Sequence, residues 1–209
     1  SQVSASPTAG FSVVTYTGNG TAGATIGHGL GVAPAMIICK NRTFGGTHWE
    51  TYHEDLGNTV MIRLNRADAK FTSSGGWNDT SPTSTVFTVG GGSGVNRDAE
   101  EIVAYCFSEV SGYSSFGSYV GNGSTDGVFV HLGFRPAFVM LKRTDSANSW
   151  FIFDGKRDPY NFNVRYLTAD TSNAEAVGTT GYNDFLSNGF KVRNSGTFSN
   201  ASGGTYIYM

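Results

Sequence analysis

The chain repeats itself. Tyr16-Thr17-Gly18-Asn19-Gly20 returns as Tyr119-Val120-Gly121-Asn122-Gly123, 103 residues downstream (119 − 16). Phe87 and Val89 meet Phe190 and Val192 at the same offset, and Tyr105 meets Tyr208. Between these landmarks the match drifts. Leu30-Gly31-x-x-Pro34-Ala35 meets Leu132-Gly133-x-x-Pro136-Ala137, with Lys40 on Lys142 and Trp49 on Trp150. Such drift fits small insertions and deletions in loops on a constant strand framework. Self-similarity at one long period fixes the domain count before any other reading. The expectation is two homologous units of about 100 residues each, a common domain size. The repeat is also an internal control: a group found in both units reads as structural, whereas a catalytic group is expected in one copy.

The units read as all-β. Ala35 to Lys40 and Ala137 to Lys142 are continuous apolar runs, the pattern of a central buried strand. Further strands are predicted over Phe11–Tyr16, Thr47–His53, Val60–Leu64, Val86–Val89 and Ile102–Val110. In the second unit they are predicted over Val128–His131, Trp150–Asp154, Val164–Leu167, Gly189–Arg193 and Thr205–Met209. No window sustains the i, i+3, i+4, i+7 spacing of an amphipathic helix. Short strands punctuated by Gly and Asn predict two tandem β-sandwich or jelly-roll-like units from an internal duplication. Residues 1–10 read as a polar linker or arm, 11–110 as the first unit and 113–209 as the second. The second unit stops at Met209, where the first continues through Phe107-Ser108-Glu109, so the sequence is expected to be cut short there.

Composition narrows the partners. Charged residues make up 14%, well below the usual quarter, and the net charge is −2. A phosphate-binding surface needs clustered Lys and Arg, and the 14 here are scattered, which argues against nucleic acid. No run approaches the about 18 apolar residues of a membrane span. Cys39 aligns with Leu141 and Cys106 with Met209, both apolar, so the two thiols read as small buried hydrophobes, with a disulfide as the alternative.

Several constellations could carry chemistry. His48-Trp49-Glu50-Thr51-Tyr52-His53-Glu54-Asp55 is the densest polar cluster. On a strand its two His side chains point to opposite faces, and the second unit has no His there, so no metal site is expected. A glycosidase needs two carboxylates roughly 5–10 Å apart. Glu50, Glu54, Asp55, Asp154 and Asp158 are the candidates, and nothing in the sequence pairs them. Neither a Gly-x-Ser-x-Gly elbow nor a phosphate-binding glycine loop is present. No catalytic residue and no cofactor are expected, and the chain reads as a non-enzyme. Trp49 and Trp150 recur and read as core aromatics. Trp77-Asn78-Asp79 and Tyr182-Asn183-Asp184 are the candidate ligand-binding residues, an aromatic beside amide and carboxylate on a loop. That trio suits a sugar by ring stacking and hydroxyl hydrogen bonds, although a turn covered by an aromatic explains it as well.

Tyr16 to Lys40 with Trp49, Tyr119 to Lys142 with Trp150, and the closing strands together resemble a duplicated domain of unknown function. That domain occurs in tail-fibre-like virion structural proteins of tailed phages, marine ones in particular. The resemblance covers nearly the whole chain from Phe11 on. It implies a virion location and no chemistry. The leading expectation is a non-enzymatic structural or adhesive module of a fibre or appendage. Its partners would be further copies of itself in a homotrimer or larger assembly, other virion proteins, and a cell-surface glycan. A secreted or cell-surface carbohydrate-binding module is the alternative, and a glycan hydrolase the second alternative.

Overall fold

A computed structural model describes residues 1–178 and 181–209. The chain is all-β and divides into two compact units. Unit 1 is Ser1–Leu64 with Lys70–Val110, and unit 2 is Asn65–Ala69 with Ser111–Met209.

Unit 1 contains β1 (Gln2–Ser6), β2 (Phe11–Thr17), β3 (Ala24–Gly27), β4 (Met36–Asn41), β5 (Trp49–His53), β6 (Val60–Arg63), β7 (Phe71–Thr72), β8 (Val86–Val89) and β9 (Glu101–Phe107). Two single helical turns, α1 (Ser74–Trp77) and α2 (Ser93–Asn96), sit among them. The main sheet has the order β1-β2-β9-β4-β5-β6-β7, and β3 pairs with β8 in a separate ribbon. The continuous apolar run of β4 is explained by its place: it pairs with β9 on one side and β5 on the other, and Met36 to Cys39 are buried on both faces. β2 alternates instead, with Ser12, Val14 and Tyr16 turned inward. Ile26, Phe87 and Val89 of the ribbon close the core over Val14, Ile37, Cys39, Tyr52 and Ala104.

Residues 1–10, expected to be a polar linker or arm, contain a strand. Gln2–Ser6 pairs with the whole of β2 as an antiparallel edge strand. A chain with no apolar alternation still forms a strand here because β2 offers it an unpaired edge. All five of its residues stay exposed.

Unit 2 contains β10 (Gly117–Val120), β11 (Phe129–His131), β12 (Phe138–Arg143), β13 (Trp150–Asp154), β14 (Arg165–Thr168), β15 (Ala176–Val177), β16 (Asn183–Leu186), β17 (Gly189–Val192) and β18 (Thr205–Tyr208). Its main sheet has the order β10-β18-β12-β13-β14-β15, with β11-β17-β16 as a second sheet. The core is aromatic-rich: Tyr119, Phe151, Phe153, Phe185, Phe190 and Tyr206 pack with Val139 and Leu141.

The register of the last strand departs from the residue-by-residue match. Cys39 pairs with Ala104, and Leu141 pairs with Tyr208. Tyr208 therefore stands in the place of Ala104, an offset of 104 (208 − 104), and Met209 stands in the place of Tyr105. The slip arises upstream, between Val192 and Asn200, where the loop of unit 2 is one residue longer. The identity of Tyr105 and Tyr208 is thus not a structural equivalence, and Met209 is not the partner position of Cys106.

The cysteines are both free and buried. Burial pushes the Cys106 thiol up to about 12 and the Cys39 thiol higher still, with Cys106 adding to the effect on Cys39. Trp150 is buried as expected, whereas Trp49 remains half-buried and stacks on Tyr105 with ring centroids 6.3 Å apart. The difference has a local cause in unit 2. Trp150 lies directly opposite Lys142 and shares its face, and Lys142 Nζ donates to the Ala67 carbonyl at 2.9 Å. The Asn65–Ala69 segment thereby covers that face.

Candidate functional site

The repeated Tyr-x-Gly-Asn-Gly motif is a loop latch. In unit 1 the Tyr16 hydroxyl donates to the Val95 carbonyl at 2.7 Å. The Asn19 amide donates to Asn96 Oδ1 at 3.0 Å, and Asn96 Nδ2 donates to the Thr21 carbonyl at 2.9 Å. In unit 2 the Tyr119 hydroxyl donates to the Ser199 carbonyl at 2.8 Å, and the Asn122 amide to Asn200 Oδ1 at 2.9 Å. Gly18 and Gly121 are required by close approach: a Cβ would overlap the carbonyl oxygens of Arg97 and Ala201 respectively. The most conspicuous motif of the sequence therefore serves loop architecture.

The six candidate ligand-binding residues fall in unlike surroundings. Trp77 is only 1% exposed and meets Tyr52 edge-on at 5.7 Å, deep in the core of unit 1. It offers no ring face to a sugar, because α1 turns it inward. Asn78 is the left-handed cap of α1, its amide donating to the Ser74 carbonyl at 3.0 Å, and Asp79 follows at φ 48°. Both residue types tolerate that conformation at small cost. Tyr182 packs among Phe153, Tyr166 and Phe198 at 5.1–6.0 Å. Asn183 is fully buried, and Asp184 is buried against Arg193 at 2.5 Å. Only Asp79 of the six is exposed. The trios lie in turns and core.

Two of the candidate acids are held by local partners. Asp154 pairs with Arg157, and Asp158 Oδ2 accepts the amides of Val164 and Arg165 at 2.5 and 3.0 Å. The His53 ring accepts the Asp55 amide at 3.3 Å, capping the turn that follows β5. Glu54 is pushed up by burial and by its neighbours Glu109 and Asp55. Among the described residues no three His, Cys, Asp or Glu side chains gather as a metal-ligand group.

Glu50 has no acidic counterpart in unit 2. It is buried in unit 1 opposite Cys39, in the place that Phe151 holds opposite Leu141 in unit 2. Burial raises its pKa, opposed by Arg63, whose Nε lies 3.3 Å from Glu50 Oε2. Arg63 also sits 4.6 Å above the Phe71 ring. Beside the pair is a cavity of about 140 Å³ walled by Met61, Ser73, Gly92 and Gly94. A Cβ on Gly94 would come within 2.7 Å of Glu50 Cγ. The paired carboxylate ties β5 to β6 through Arg63.

The surface distributes its aromatics unevenly. Tyr113, Phe129, Phe138, Tyr160 and Phe162 are the exposed ones among the described residues, and all belong to unit 2. Tyr160 is 80% exposed and Phe162 53%. Between them Asn161 pins the loop: its Nδ2 donates to the Phe185 carbonyl at 3.1 Å, and its Oδ1 accepts the Phe185 amide at 3.0 Å. The Phe162 ring lies over Gly181, where a Cβ would overlap it. This fixed loop was missed by reasoning from the repeat, because it has no counterpart motif in unit 1. The run Tyr160-Asn161-Phe162, two aromatics flanking an amide, was its only sequence signal.

No curated protein and no solved structure matches the chain. Residues 1–209 match one family throughout, and the chain accordingly belongs to the family described as a domain of unknown function, DUF7483.

Proposed function

We propose that this chain is a non-enzymatic structural and adhesive module, and that unit 2 supplies its contact face. The observation that carries this reading is that every exposed aromatic among the described residues lies in unit 2, two of them on a loop pinned by Asn161. Rigid aromatics contribute large contact area at small entropic cost, which suits both protein interfaces and sugar faces. The resemblance to tail-fibre-like phage proteins adds the setting: a virion appendage, self-association into a trimer or larger assembly, contact with other virion proteins, and attachment to a host-surface glycan. The matching strand orders and paired latches support the finer architecture, two tandem β-sandwich or jelly-roll-like units from one duplication.

A glycan array probed with the intact chain and with the Tyr160→Ala/Phe162→Ala chain tests the adhesive half. Binding that the double substitution removes supports it. No binding by either chain removes the glycan and leaves assembly as the role. A carbohydrate-binding module of a secreted protein is the second reading, favoured by Tyr160 alone, and it predicts glycan binding by a strictly monomeric chain.

A further inference from the structure

The two units open a pocket at the same place, over β5-β6-β7 and over β13-β14-β15, and line it with different chemistry. Strand register fixes the match. Glu50 lies opposite Arg63 as Phe151 lies opposite Thr168, and Met61 lies opposite Phe71 as Tyr166 lies opposite Ala176. Directly opposed residues share a face, and so do residues two apart on one strand. In unit 1 that place is charged and largely filled. The Arg63 guanidinium pairs with Glu50 at 3.3 Å and lies 4.6 Å above the Phe71 ring, which leaves about 140 Å³. In unit 2 the shorter Thr168 stands for Arg63 and Ala176 for Phe71, and the pocket widens to about 200 Å³.

The floor of the unit 2 pocket is aromatic. The Phe151 and Tyr166 ring centroids are 5.0 Å apart, Phe198 backs Phe151 at 4.5 Å, and Tyr182 meets Tyr166 edge-on at 5.2 Å. Both rings are therefore held in place before a ligand arrives. The polar part of the wall is Ser149, Thr168, Thr171 and Asn173, and its lining carries no charged side chain. The Ser149 hydroxyl donates to Asp170 Oδ2 at 2.9 Å, so its oxygen is left to accept from a ligand. Thr168 and Thr171 share one hydrogen bond at 2.5 Å, so the accepting hydroxyl keeps its own hydrogen to donate. Asp170 is occupied on its other oxygen too, where Oδ1 accepts the Trp150 amide at 2.9 Å.

We infer that this pocket is a subsite for one neutral sugar ring. The carbon face of the ring rests on Tyr166 and Phe151, and its hydroxyls meet Ser149, Thr168, Thr171 and Asn173. A wholly apolar ligand would strip water from those polar groups and replace none of it. An acidic ligand would meet no cation in the lining. The volume lies below the roughly 300–1,000 Å³ of a drug-sized site, so it admits a single ring and not an oligosaccharide. The inference rests on the adhesive reading for the source of the ring, a host-surface glycan. The pocket shares no lining residue with the loop of Tyr160 and Phe162.

Amide chemical shifts of the full chain, titrated with methyl glucoside, N-acetylglucosamine and glucuronate, test the subsite. Concentrations run to about 100 mM, well above a Kd of about 1 mM. A neutral sugar moves the amides of Thr168, Thr171 and Asn173, and glucuronate moves them less. Thr168→Arg, which installs the unit 1 residue, raises the Kd by about tenfold or more. Thr171→Val, a change at an exposed position that keeps the side-chain shape, raises it about threefold or more. Tyr160→Ala/Phe162→Ala leaves it unchanged. Three results overturn the subsite: no shift with any neutral sugar, equal shifts with glucuronate, or a Kd that both Thr168→Arg and Thr171→Val leave unaltered. Array binding that depends on Tyr160 and Phe162 without shifts in the pocket also removes the subsite, and keeps the adhesive reading. Pocket shifts in a chain that binds no array glycan support the subsite and remove the adhesive reading.

Discussion

Asn200 grips Asn122 from both sides. Its Oδ1 accepts the Asn122 amide at 2.9 Å, and its Nδ2 donates to Asn122 Oδ1 at 2.8 Å. The same Nδ2 reaches the carbonyls of Ser124 and Asn194 at 2.7 and 2.9 Å. One buried amide thus ties the segment of Asn122 and Ser124 to the loop of Asn194 and Asn200, 76 to 78 residues away in sequence. Asn200→Ala removes these hydrogen bonds and leaves the Asn194 carbonyl without this donor, at a cost of about 1–3 kcal/mol. Urea unfolding followed by exchange protection shows unit 2 opening first in this variant, while Asn96→Ala opens unit 1 first.

Lys142 gives the chain an alkaline signature. Burial brings its ammonium down from 10.5 to about 8, against the opposing pull of Asp170 and Asp68. Between pH 8 and 10.5 the unfolded chain binds more protons than the folded one, so stability rises with pH through the lower part of that window. The buried Tyr16 and Tyr119 hydroxyls, both raised by burial, reverse the trend at higher pH. Thermal midpoints therefore climb just above pH 8 and level off near pH 9, where the Cys39 and Cys106 thiols, also raised by burial, begin to ionise in the unfolded chain only. Lys142→Met flattens that climb and leaves the Ala67 and Asn148 carbonyls without their donor.

Glu50 acts on the acid side. Its carboxyl is raised by burial, so the folded state takes up a proton at higher pH than the unfolded state does. Stability from this group grows as pH falls through its folded value and is lost again on return to neutrality. On acidification from neutral pH Glu50 and Glu54, both raised, add stability while His28, lowered by burial, removes it, so the denaturant midpoint of Glu50→Gln rises less, or falls more, than that of the intact chain. An unchanged profile in the variant would contradict this contribution from Glu50.

Trp77 and Tyr160 separate packing from contact. Trp77→Ala opens a large void in the unit 1 core and costs about 3–5 kcal/mol. Tyr160→Ala removes an exposed ring and changes stability by no more than about 0.5 kcal/mol. Calorimetry of the two variants orders them in that way. Loss of adhesion or assembly belongs to Tyr160→Ala alone, in a chain that is still folded.

The framework was legible where one strand decides its own fate. The apolar runs of β4 and β12 announce central strands because burial on both faces leaves no room for polar residues. The repeat was legible in Tyr16 and Tyr119, but its purpose was not. Asn19 finds Asn96 only after 77 residues of chain, and no local pattern encodes that meeting. The burial of Trp77 was not legible because a single turn with no hydrophobic period decides whether it faces in or out. The grouping of Asn65–Ala69 with unit 2 was invisible for a similar reason: it rests on the Lys142 ammonium and the Ala67 carbonyl, a side chain meeting a backbone 75 residues away. β1 was missed because its strand character comes from the edge of β2 and not from its own side chains.

The most direct test of a contact face on unit 2 is the solution mass. Light scattering after size-exclusion chromatography compares the intact chain with Tyr160→Ser/Phe162→Ser across a wide concentration range. The account predicts a trimer or larger assembly for the intact chain and a smaller species for the double variant. A monomer at every concentration, indistinguishable between the two chains, would contradict it.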